Sequence, residues 1–381
     1  MHKAFFSRLS ALLLALLVSA LPATAGVPGG DDVPNRLYVC NQGSATISVI
    51  DMASMEIVHT VDLKTLGYDK NAKPHHVAVE PDGSSFYVSL IGASKVLKFN
   101  SSYELIGEAE FETPGMLAIH PNNDLMYVGR SMMAVNPPQR IGVIERACMA
   151  IDEIDVFFPR PHAIMVNPRG DVAYTASLAV NQYLTLNLET EEIDLGTLDG
   201  DIHTFVQFAV SPDGNTMVVG GQISGQLLVF DTSEPGTAKL IDSIEVNAAP
   251  WHPVFTPDGN YVYFGNKGAN TVTVVDMEAR AVKTVIEGDG ISEPHGSAVS
   301  TDGKYVFISN NNLKGGYMGP MKMDEHAGHG EHAGHGGDAG HQMNMEADPI
   351  GTVVVIETAT NTIAKIIAVE NYPTGIATNA K

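Results

Sequence analysis

The chain has 381 residues, 44% of them apolar, and carries 44 acidic against 22 basic side chains, a net charge of −22 at pH 7. That excess of carboxylates repels phosphate backbones and anionic headgroups, which excludes nucleic acid and acidic membrane surfaces as natural partners and favours cations. Two cysteines, Cys40 and Cys148, fall in repeats that are not adjacent, so no disulfide is expected, and no CxxCH sequence offers a covalent haem attachment.

The first 25 residues read as a secretory leader. Lys3 and Arg8 precede an apolar run from Ala11 to Leu21 broken only by Ser19, and Ala23-Thr24-Ala25 supplies the small-x-small pattern of a cleavage site. The run is shorter than the roughly 20 residues of a spanning helix, and no later stretch approaches that length, so no membrane span is expected. Cleavage near Ala25-Gly26 predicts a periplasmic or secreted protein of residues 26–381. The leader removes two basic and no acidic residues, leaving 20 against 44 and a net charge of −24.

A turn motif then recurs along the chain. Glu80-Pro81-Asp82-Gly83, Ser211-Pro212-Asp213-Gly214 and Thr256-Pro257-Asp258-Gly259 are copies of it, and 120–123, 167–170 and 300–303 are weaker ones. Proline fixes φ, Asp or Asn bonds its own backbone, and Gly accepts a left-handed conformation. Consecutive copies lie 40 to 47 residues apart, each preceded by one short apolar strand and followed by three more, as in Tyr261–Phe264, 271–276 and 281–285. Four strands at that period make one propeller blade.

Innermost strands are predicted to start at Pro74, Pro114, Pro161, Phe205, Pro250, Pro294 and Pro373. The last start has one strand only, at 374–378, whereas the N-terminus begins with three strands, near 37–41, 46–51 and 56–62. The ends complement each other. The sequence therefore predicts an all-β, seven-bladed β-propeller, one domain, with its ring closed by the N-terminal three strands and the C-terminal strand. Tyr38-Val39-Cys40-Asn41 with Thr46 to Asp51, and Asn270 to Asp276, resemble the YVTN-family propeller repeat. That resemblance implies fold over the whole mature chain and little about function. By architecture the chain is also similar to the haem d1 domain of cytochrome cd1 nitrite reductase and to the propeller of nitrous oxide reductase.

With the blades aligned, the two positions after each opening residue hold His75, His76, Met116, His162, His252 and His295, with Trp251 beside them and His203 just before its own blade's first strand. Five histidines and one methionine in 14 equivalent positions begin the innermost strands and are expected to line one mouth of the central channel. Neutral imidazoles converging from separate blades suit copper or zinc. Water in a channel mouth would satisfy the same histidines equally, and both readings stand on the sequence.

The seventh blade carries an insertion between its second and third strands, residues 313–348. It holds Met318, Met321, Met323, His326, His329, His332, His335, His341, Met343 and Met345, with EHAGHG written twice. Gly and Ala build no core there, so a mobile segment is expected. Thioether with imidazole is the ligand set of copper, soft sulfur selecting Cu(I). Propeller topology places this loop on the face where the innermost strands start, as it does the loop bearing Met132 and Met133.

The nitrous oxide reductase resemblance implies a channel copper site with an adjacent histidine pair, which His75-His76 matches. The departures are a missing cupredoxin domain, no cysteine-rich copper motif and one histidine too few. The expectation is an exported metal-binding propeller that handles copper through the histidine ring and the His/Met loop. Its partners would be metal ions and a periplasmic copper donor or acceptor protein. Alternatives are a copper-dependent oxidoreductase related to nitrous oxide reductase, a protein-interaction propeller, and a metal-free lactonase for which Arg160, Asp201 and His203 are the loose candidates.

Overall fold

The computed structural model describes residues 35–246, 249–317 and 349–379, and among these residues 28 strands pair into seven four-stranded antiparallel sheets. The leader of residues 1–25 and the insertion from Met318 to Asp348, with all ten of its candidate ligands, lie outside the described residues. The protein is a seven-bladed β-propeller. Pro373–Thr378 pairs with Arg36–Asn41, Tyr38 facing Ala377, so one strand from the C-terminus completes the first blade. Joining the ends in one sheet is what turns an open array of blades into a ring.

Each blade is built by the turn chemistry its sequence announces. Gly83, Gly170, Gly214, Gly259 and Gly303 take φ between 68° and 77°. Asp213 Oδ1 accepts from the Asn215 amide at 3.0 Å, and Asp258 and Asp302 do the same two residues on at 3.1 Å. Burial falls outward across a blade. In the first blade Thr46–Asp51 is buried almost throughout, whereas the outermost strand, Glu56–Asp62, is exposed along most of its length. Seven apolar clusters, one at each interface between neighbouring blades, hold the ring together. Tyr38, Phe86 and Phe99, for example, stack across the first interface with ring centres 4.5 and 4.9 Å apart. Among the described residues no helix is long and apolar enough to cross a membrane.

One device repeats seven times and positions the candidate site. The residue before each innermost strand is left-handed without being glycine: Lys73, Thr113, Arg160, Thr204, Ala249, Glu293 and Tyr372 have φ between 50° and 58°. Its carbonyl accepts the amide of the first residue after the blade's second strand, namely Ile91, Ser131, Leu178, Gln222, Lys267, Asn311 and Gln42 in turn, at 2.9 to 3.1 Å except 2.8 Å at Ser131. Pairing to the second strand then skips one or two residues, a bulge that falls on the very positions holding the histidines. Bulges re-aim side chains. Here they leave one or two residues just after the strand opening unpaired, His75, His162, His252 and His295 among them, whereas His76 stays paired to Ser89.

Candidate functional site

Four of the six ring histidines meet ring to ring, and a fifth, His162, lies within electrostatic reach of them. His75 lies edge-on to His295 with ring centres 5.7 Å apart, His295 to His252 at 4.8 Å, and His252 tilts against His76 at 6.4 Å. His162 acts electrostatically on all four of these rings. Trp251 packs on both His252 and His295, at 5.8 and 4.5 Å. These residues come from the second, fourth, sixth and seventh blades, so only ring closure assembles them. They are not a wet rim. His162 and His295 are 1% and 2% exposed, and His75 and His252 are also buried, so the group forms a plug across the channel rather than a lining of its mouth.

Hydrogen bonds fix which nitrogen carries the proton. The Arg130 carbonyl, which only accepts, lies 2.7 Å from His162 Nδ1, and the Gln42 amide oxygen lies 3.2 Å from His75 Nδ1. Both rings therefore hold a proton on Nδ1 and present a lone pair at Nε2. His76 is the reverse: the Leu117 amide donates to its Nδ1 at 3.2 Å, so its Nε2 offers a proton. Three ring nitrogens, His162 Nε2, His252 Nε2 and His295 Nδ1, are buried without a partner, as is Trp251 Nε1. Leaving such an atom unsatisfied costs about 1–3 kcal/mol. His252 also sits at φ 26°, a region non-glycine residues avoid. Strain and orphaned nitrogens coincide at one residue.

Burial holds every imidazole of the group neutral. It is the largest influence on each: His162 is depressed to about 4 against the Arg130 carbonyl bond and with the Arg160 charge adding to it, and neighbouring imidazoles add to the effect on the others, His76 at about 3 and His75, His252 and His295 well below 6.5. Two cations act on them, Arg160 on His162 and Lys267 on His75, His252 and His295. Lys267 Nζ lies 4.3 Å above the Trp251 ring and 5.9 Å from Tyr372, and burial brings it down to about 8 against the pull of Glu293.

The other expected residues go elsewhere. Met116 is fully buried in the apolar interface between the third and fourth blades, with Tyr127, Ile141 and Phe158. His203 bonds Ser224 Oγ through Nδ1 at 2.9 Å and stacks on Phe205, outside the ring contacts that join the other four. Asp201 acts on His203, but the Arg160 guanidinium donates to the Met132 carbonyl at 2.6 Å, so the lactonase trio does not form a set. Among the described residues no three of His, Cys, Asp and Glu stand in position to hold one ion together. Cys40 is buried, Cys148 is exposed, and both are free thiols.

The insertion's ends are described and lie on the expected face. Asn312 Nδ2 donates to the carbonyls of Tyr317 and Ile350, each at 2.8 Å, so one buried side chain clamps both ends of the loop. The Lys314 amide donates to Glu293, two residues before His295. Lys267, Gln42 and Asn312 escaped the reading of histidine positions because they follow second strands rather than open first ones. Aligning the blades at that second register would have collected Gln42, Lys267 and Asn311 together.

No protein-family model matches the chain, and no curated protein matches it. Solved structures do. A functionally unknown protein from Desulfotomaculum acetoxidans aligns over 90% of this chain and 98% of its own, at 15% identity and a TM-score of 0.66. A provisional 6-phosphogluconolactonase from Bacteroides uniformis aligns over 91% and 100%, at 11% identity and 0.64. Dihydro-haem d1 dehydrogenase NirN aligns over 93% and 77%, at 12% identity and 0.58. At these identities the likeness is one of fold.

Proposed function

We propose that this is an exported copper-binding propeller, in which His75, His162, His252 and His295 form the fixed site and the His/Met-rich segment 318–348 captures the ion. One observation supports the reading: four buried, neutral imidazoles from four blades lie beside one another with three ring nitrogens lacking any partner, although as they lie no three are placed to share one ion. Two imidazoles sharing an ion through nitrogens about 2.0 Å from it have ring centres about 5–6 Å apart. The His75–His295 separation of 5.7 Å falls in that range and the His252–His295 separation of 4.8 Å lies just under it, while His162 would have to approach the others to join the same ion. Bonded Nδ1–H groups on His75 and His162 are the orienting contacts that metal-ligating histidines use. Imidazole accepts both oxidation states of copper, and thioether sulfur favours Cu(I). The carboxylate-free set favours copper over calcium or magnesium.

Lys267 opposes a second positive charge. Its lowered pKa makes proton release on arrival of the ion a small step. Handling rather than turnover is the reading adopted. The test is copper content and Cu(I)/Cu(II) titration of the full chain beside a variant lacking residues 318–348, which spares the Asn312 clamp. Stoichiometric copper retained in the deletion supports the fixed site. Loss of all binding with the segment reduces the cluster to structural histidines, and indifference to copper in both proteins overturns the proposal.

A further inference from the structure

Below the histidine plug, on the side away from the insertion, the axis holds a cavity of about 630 Å³. It runs along the innermost strands from His76 and His252 at its closed end to the turn residues Pro168, Pro212, Pro257 and Thr301 at the other. The 24 residues around it include no Lys, Arg, Asp or Glu, in a chain where 17% of residues are charged. Its walls are mainly aliphatic and aromatic, among them Val77, Leu117, Val254, Phe255 and Ile376. Polar atoms are confined to few places. His252 Nε2 and Ser297 Oγ lie just beneath its wall without partners, and Gln207 is held with its Oε1 accepting the Ile164 and Phe208 amides.

We propose that this cavity is a binding site for a small, uncharged, largely apolar molecule with one hydrogen-bonding group, seated against His252 at the closed end. The volume is that of an ordinary small-molecule pocket, and such pockets combine apolar walls with a few placed polar groups. A carboxylate, phosphate or sugar phosphate has no cation to meet in it, and an organic cation has no carboxylate. The same argument removes phosphorylated sugars as ligands of this cavity. His252 is the one residue shared with the proposed copper site. The cavity is a property of the metal-free chain, so its test is run without copper and stands whether or not the copper reading does.

The probe is N-phenyl-1-naphthylamine, which is uncharged, apolar and carries a single N–H. Its sulfonated analogue, 8-anilinonaphthalene-1-sulfonate, has the same skeleton with a fixed negative charge. Fluorescence titration of the full chain in EDTA is expected to show saturable, micromolar binding of the neutral probe and at least tenfold weaker binding of the sulfonate. Val254→Trp fills the wall and should weaken the neutral probe at least tenfold. Thr301→Trp, in an exposed turn at the rim, obstructs access without touching the core and should do likewise if the Val254 variant fails to fold. No saturable binding, equal affinity for the two probes, or full affinity in the folded variants overturns the proposal.

Discussion

Acidification should unfold this propeller unusually early, and the histidine plug should be the cause. A buried imidazole held neutral in the folded state takes up its proton only after unfolding. Its effect on stability is therefore absent above pH 6.5, begins as pH falls through 6.5, and grows until the folded-state pKa is reached. His162, depressed to about 4, loses about 2 kcal/mol between pH 8 and pH 5 by this linkage. His75, His252 and His295 lie well below 6.5 and act in the same direction over that interval. His76, depressed to about 3, loses about 2 kcal/mol as well, so these two alone sum to about 4 kcal/mol, a large share of the stability of a typical domain, about 5–15 kcal/mol. Carboxylates act in a lower window: Asp302 is held to about 2 by Lys304 and its turn, so its contribution is lost only below pH 4. Denaturant unfolding of copper-free protein at pH 8, 7, 6 and 5 measures the slope directly. Replacing one member, His295→Phe, should reduce that slope below pH 6 by about 1.4 kcal/mol per pH unit, the worth of one proton. A free energy of unfolding that moves by less than about 2 kcal/mol between pH 8 and pH 5 would refute the reasoning, because the plug would then be hydrated and titrating freely.

Removing the charge beside the cluster has the opposite sign for copper: Lys267→Met should tighten copper binding about tenfold or more, as expected for deleting a neighbouring cation at an effective dielectric constant of about 20, read by competition with a calibrated chelator. Gly375→Ala should cost about 2–4 kcal/mol in denaturant unfolding, since the added Cβ would lie 2.5 Å from the His75 carbonyl oxygen and 2.6 Å from His76 Cα, where backbone must yield. The same variant should weaken copper binding, because it displaces the strand that carries His75. Asn312→Ala should release both ends of the insertion, giving faster proteolytic cleavage near residues 317 and 350 with the melting temperature lowered by only a few degrees.

Most of the architecture was legible in the chain. Turns with proline, an acidic residue and glycine at a steady spacing count the blades, since only certain residues accept those φ values, and the surplus strands at one end match the deficit at the other. The same alignment marked five histidines as equivalent, because equivalence in a repeat is a matter of register alone. Three decisions belonged to the tertiary structure. The bulge and left-handed residue at each strand start decide whether a side chain turns to the axis or into an interface, which is why Met116 joins the apolar core while His162, from the next blade, joins the plug. Ring tautomers depend on what closes over the histidines from other blades, Arg130, Gln42 and the Leu117 amide, and those contacts span up to 41 residues of sequence. Burial of the cluster, with its neutral imidazoles and orphaned nitrogens, arises only when seven blades close on one axis, and no local pattern of residues carries that information.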